Sequence, residues 1–141
     1  MSDFLRFEKT EPDLEGMWLQ VTASSPIITA SSRIYVTGSV LEDLRQEIRD
    51  FLDQEDLEGY WENDVPGMGG PTCMTLRLIP RDRESHVLAE VYLELDDGRD
   101  YASHNCCFYV RTDRSSLARF AEDLALLQQP RTGITVTLNR S

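Results

Sequence analysis

The sequence predicts an α+β domain, and three observations carry that prediction. Apolar residues recur with period two in several segments, two other segments repeat them at helical spacing, and the helical segments interrupt runs of strands instead of following every strand. A parallel βαβ design would alternate strand and helix throughout. The expected order is strands, helix, strands, helix, strand, giving a mainly antiparallel sheet of about six or seven strands with two amphipathic helices. Residues 1–141 are expected to form a single α+β domain, long enough to hide roughly 68% of the surface that the unfolded chain exposes. Neither a disulfide nor a structural metal is needed to stabilise a core of that size.

Asp3 to Glu8 and Gly16 to Ala23 read as the first strands, the second alternating Met17, Leu19 and Val21 against Trp18, Gln20 and Thr22. After the break at Ser24-Ser25-Pro26, Ile27 to Ala30 reads as a short edge piece and Arg33 to Thr37 as another strand. The first helix follows at once. Ser39 and Glu42 stand at capping-box spacing, and Leu41, Leu44, Ile48, Phe51 and Leu52 share one face.

Thr72 to Ile79 alternates Met74, Leu76 and Leu78. Val87, Ala89, Val91, Leu93 and Leu95 then recur with period two, stop at Asp96-Asp97-Gly98-Arg99, and the pattern resumes as Tyr101 to Arg111, a hairpin. With Asp97-Gly98 as a two-residue turn, Val87 faces Phe108, Ala89 faces Cys106, Val91 faces His104 and Leu93 faces Ala102. The other face then pairs His86 with Tyr109, Leu88 with Cys107 and Glu90 with Asn105. A second helix starts near Asp113 or Ser115, buries Leu117, Phe120, Ala121, Leu124 and Leu127, and ends at Pro130. Gly133 to Asn139, alternating Ile134, Val136 and Leu138, is the closing strand. Ile34-Tyr35-Val36 before the first helix echoes Phe108-Tyr109-Val110 before the second, as a repeated strand-to-helix unit would.

Charge is the most informative feature for function. Between Glu42 and Asp64 the chain carries ten carboxylates against Arg45 and Arg49, a balance of −8 within a total of −11. A surface this acidic repels phosphate backbones and anionic lipid, so nucleic acid and membrane are not expected partners. Basic proteins and metal cations are compatible with it. No run of apolar residues approaches the ~20 needed to cross a bilayer, and no basic-then-apolar leader opens the chain. Cys73, Cys106 and Cys107 are odd in number and two are adjacent, which fits a reducing cytoplasm better than a disulfide framework.

No segment carries a recognisable catalytic motif. His104 and Cys106 share a strand face and Cys73 or His86 would have to complete a zinc site, but no Cys-x-x-Cys pair supports one. Cys107 and His86 share the second hairpin face one pair apart, without a nucleophile elbow or oxyanion loop around them. Gly67-Met68-Gly69-Gly70 lacks the Lys-Ser/Thr of a phosphate loop, and the carboxylate pairs lack the twelve-residue ligand order of a calcium loop. No cofactor or metal is expected. The alternative function, a small-molecule-binding or enzymatic domain, would use the hairpin's His86, His104 and Cys107 with this Gly-rich loop.

Three stretches carry a family resemblance: Trp18-Leu19-Gln20-Val21, then Leu41-Glu42-Asp43-Leu44 through Phe51-Leu52, then Phe108-Tyr109-Val110 ahead of Leu117-x-x-Phe120-x-x-x-Leu124. In the order and spacing of these elements, roughly residues 16 to 127, the chain resembles the WapI-type bacterial immunity proteins and related small bacterial proteins. The resemblance implies a non-enzymatic cytoplasmic partner that binds and neutralises a cognate toxin. The acidic stretch agrees with that expectation, because charge complementarity speeds docking onto a basic protein and rejects wrong partners. The expected contact surface is the outer helix face with Glu42, Asp43, Glu47 and Asp50, plus a loop bearing Asp56, Glu58, Tyr60, Trp61 and Glu62. Tyr60 and Trp61 are the expected aromatic anchors.

Overall fold

The computed structural model describes residues 3–54, 57–63, 73–81, 85–95 and 104–140. Strands β1 (Phe4–Pro12), β2 (Gly16–Ser24) and β3 (Thr29–Thr37) lead into helix α1 (Gly38–Asp53). Strands β4 (Gly59–Glu62), β5 (Met74–Pro80), β6 (His86–Leu95) and β7 (His104–Asp113) lead into helix α2 (Arg114–Asp123), which tightens into a 3-10 turn (Leu124–Gln128) before β8 (Thr135–Leu138). The class is α+β, as expected. The strand count and arrangement differ from expectation: the eight described strands form two antiparallel four-stranded sheets, ordered β3-β2-β1-β8 and β4-β5-β6-β7, instead of one sheet.

The two sheets have equivalent connectivity. Each half of the chain runs strand, strand, strand, helix, strand, and its last strand pairs with the first strand of the other half, β4 on β5 and β8 on β1. The echoed tripeptides lie in β3 and β7, the two strands that enter helices. The helix caps are equivalent too. The Val40 N–H donates to Thr37 Oγ1 at 3.2 Å and the Ser116 N–H donates to Asp113 Oδ1 at 2.8 Å. The capping box expected from Ser39 and Glu42 is therefore not formed: Thr37 caps α1, and Glu42 accepts from Arg45 at 2.7 Å instead.

Period-two alternation directs one face of every sheet inward. Leu5, Phe7, Leu19, Val21, Ile34 and Val36 bury the first sheet, and Met74, Leu76, Ala89, Val91, Leu93 and Val110 bury the second. From α1, Leu41, Leu44, Ile48 and Phe51 enter the same core, which Leu117, Phe120, Leu124 and Leu127 complete. Phe120 meets Phe7 edge-on at 5.7 Å. Where β2 leaves its turn, a Cβ on Gly16 would strike the Val36 carbonyl, so the close β2–β3 pairing there needs glycine.

Two further expectations are corrected. Ile27 to Ala30 is not a separate edge piece, because β3 is continuous from Thr29 and the two isoleucines stand in the β2–β3 turn. In the hairpin, Val87 faces Thr112, Ala89 faces Val110, Val91 faces Phe108 and Leu93 faces Cys106, each partner four residues beyond the expected one. Asp97-Gly98 itself lies outside the described residues. A four-residue slip is even, so every side chain keeps its face. The larger Phe108 and Val110 are thereby brought opposite Val91 and Ala89 in the middle of the strand.

Candidate functional site

The acidic residues of α1 divide into two groups by helical geometry. Asp43, Glu47 and Asp50, at i, i+4 and i+7, form one stripe beside the buried face. This stripe faces the outer side chains of β4, Tyr60 and Glu62, across a depression of about 370 Å³. Gln46 donates to Asp50 at 2.9 Å, and Tyr60 donates to Glu62 at 3.0 Å. No cation stands among the described lining residues.

The remaining expected contacts are not assembled there. Glu42 turns toward α2, held by Arg45, whose Nε also donates to the Ala121 carbonyl at 2.8 Å. Glu58 pairs with Arg77 at 3.4 Å, and Asp56 lies outside the described residues. The segment bearing Tyr60 and Trp61 is a strand and not a loop, because Gly59 and Trp61 alternate inward against Tyr60 and Glu62 outward.

Trp61 is the main correction to the expected docking face. It is only 4% exposed, and its indole N–H donates to the Val40 carbonyl at 3.0 Å, joining β4 to the start of α1. Such a ring is core and is not a free anchor. Tyr60 is 46% exposed and is the aromatic that this face presents. The Arg77 guanidinium lies over its ring at 5.7 Å.

The hairpin register also places the residues that a zinc or nucleophile grouping would have used. The observed register puts Cys107 opposite Tyr92 while His86 pairs with Asp113, a separation of six residues along β6, roughly 20 Å. His104 is exposed opposite Leu95, away from Val91, and Cys106 is half-buried opposite Leu93. Among the described residues no three His, Cys, Asp or Glu side chains come together as a metal set. Burial pushes both the Cys106 and Cys107 thiols up, and Glu90 raises Cys107 further, the direction opposite to that which activates a thiolate. The Gly-rich stretch lies outside the described residues.

Three tyrosines on the outer face of the β4–β7 sheet each donate to a carboxylate, Tyr60 to Glu62, Tyr92 to Glu94 and Tyr109 to Glu90, all within 3.1 Å. Tyr60 and Tyr92 are raised first by burial and then by the carboxylate, Tyr109 first by its bond to Glu90, and Tyr35 first by burial. All of these groups, like the two thiols, hold their protons to higher pH when folded. The unfolded chain loses its protons first, so stability falls as pH rises past the ordinary thiol value of 9.0 and phenol value of 10.0. We expect the urea midpoint to fall between about pH 8 and pH 11, with a shallower fall in a Tyr92→Phe variant. A midpoint that does not change over that interval would contradict these bonds.

Among the described residues no helix is long and apolar enough to cross a membrane. No family model matches the chain, and no curated protein matches it. Among solved structures, the plant transcriptional regulator PBF-2 is similar at a TM-score of 0.45 and 9% identity, over 88% of this chain and 72% of that chain.

Proposed function

We propose that this chain is a non-enzymatic binding protein that receives a basic partner protein in the depression between α1 and β4, as an immunity protein receives its toxin. One observation carries the reading. Asp43, Glu47, Asp50 and Glu62 line a single concavity with Tyr60, while the nearby arginines are already paired, Arg45 with Glu42 and the Ala121 carbonyl, and Arg77 with Glu58 and Glu90 as it lies over the Tyr60 ring. Four carboxylates sharing a recess without a described lining cation are poised to attract a cationic protrusion, and Tyr60 supplies apolar contact beside them.

The test compares the native chain with an Asp43→Lys/Glu47→Lys/Asp50→Lys variant in capture experiments from the source organism. All three positions are on the solvent side of α1, so the variant is expected to keep its thermal midpoint within a few degrees, about 1 kcal/mol or less. The native chain should retain a basic protein at about 50 mM salt and release it at about 500 mM. The variant should bind that protein at least about tenfold more weakly. Equal capture by both chains, or no specific partner at low salt, would overturn the proposal.

A further inference from the structure

We propose a second binding site of opposite charge: a cleft on β5, β6 and β7 that takes a small amphipathic anion, a carboxylate or phosphate attached to an apolar body. The chain has 14 basic residues against 25 acidic ones, yet three arginines line one recess of about 300 Å³. Arg81 follows β5, Arg111 lies on β7 and Arg140 follows β8, so only the fold brings them together. Among the described residues no carboxylate pairs with Arg81 or Arg140. Arg111 is held by the buried Asp3, whose carboxylate accepts from the Arg111 N–H at 2.9 Å and from the guanidinium at 3.2 and 3.4 Å.

Asp3 offsets one of the three charges and fixes the Arg111 side chain, which remains half exposed. Arg81 and Arg140 line the same recess, and an anion there would offset their charge. Arginine suits this task because its planar fork of donors matches the oxygens of a carboxylate or phosphate. Thr112 lines the same recess.

A second recess of about 440 Å³ adjoins the first, sharing Arg81, Leu88 and Arg111 in its wall. Its remaining wall is mainly apolar, with Ile27, Ile28, Phe108 and Tyr109. Ile27 is 88% exposed, an unusual place for isoleucine, and an ordered turn holds it there. The Ser25 N–H donates to the Ile28 carbonyl at 2.8 Å, and Ser25 Oγ accepts from the Ile27 and Ile28 N–H groups at 3.3 and 3.2 Å. A preformed apolar trough ending in a cluster of guanidiniums fits a molecule with one apolar and one anionic end. Recesses of about 300 and 440 Å³ match a small ligand, and the overall charge of −11 disfavours long polyanions.

Anilinonaphthalene sulfonate, an aromatic sulfonate whose fluorescence rises in apolar surroundings, is the direct probe, with octanoate and inorganic phosphate as competitors. The full-length chain should bind the dye saturably at one site, and octanoate should displace it. Arg81→Gln and Arg140→Gln should each weaken dye binding about tenfold, with an unchanged thermal midpoint because neither side chain pairs with a described carboxylate. Ile27→Ser should weaken the dye while leaving competition by inorganic phosphate intact. The Asp43→Lys/Glu47→Lys/Asp50→Lys variant should bind dye normally, which separates this site from the acidic depression. Dye binding indifferent to both arginine substitutions, or non-saturable binding, would overturn the proposal.

Discussion

Trp61→Ala is expected to lower the free energy of unfolding by about 3–5 kcal/mol, the largest effect of any single substitution proposed for this chain, with loss of cooperativity in urea. The indole is 4% exposed and ties the edge strand β4 to the first turn of α1 through its bond to the Val40 carbonyl. Alanine would remove both the packing and the donor, leaving a cavity between α1 and β4. Trp61→Phe keeps an aromatic volume there and should lose clearly less. A folded Trp61→Phe chain that still binds its partner with native affinity would establish the interior role, whereas a loss of less than about 1 kcal/mol in Trp61→Ala would place the ring outside the core.

The expectation of Trp61 as an anchor fails for a physical reason. The alternation of Gly59 and Trp61 against Tyr60 and Glu62 is only four residues long and embedded in carboxylates, so composition outweighs periodicity. The faces of the longer strands are legible because period two fixes which residues point inward. It fixes nothing about offset, and a four-residue slip in the β6–β7 hairpin leaves every face unchanged while separating His86 from Cys107. The first helix is legible from its apolar stripe, yet Thr37 and Ser39 are both good caps and only the backbone at the end of β3 selects the former. The converging arginines of the anion cleft have no sequence signal at all. Positions 81, 111 and 140 meet because β5 and β7 share a sheet and the exchange of β8 brings the C-terminal stretch alongside.

That exchange of final strands raises the question of what holds the two sheets in register, and Asn63 is part of the answer. It follows β4, is 1% exposed, and makes polar contacts with both sheets. Its Nδ2 donates to the Tyr35 carbonyl in β3 at 3.2 Å, and its Oδ1 accepts from the Met74 N–H in β5 at 2.7 Å. The Asn63 N–H donates back to the Met74 carbonyl at 3.2 Å. Asn63→Ala would strand the buried Met74 donor and the Tyr35 acceptor together, for an expected loss of about 2–4 kcal/mol. Asn63→Asp separates the donor from the acceptor. As a carboxylate it still accepts from Met74 but turns a buried charge toward the Tyr35 carbonyl, and only its protonated form has a hydrogen to give. Burial should therefore raise the pKa of the introduced carboxyl above its unfolded value, so the Asn63→Asp variant should gain stability as pH falls from about 7 to 4. Urea midpoints at the two values, compared with those of the native chain, measure that difference. A variant whose midpoint does not rise relative to native on acidification, or an alanine variant as stable as native, would mean that Asn63 does not help to join the two sheets.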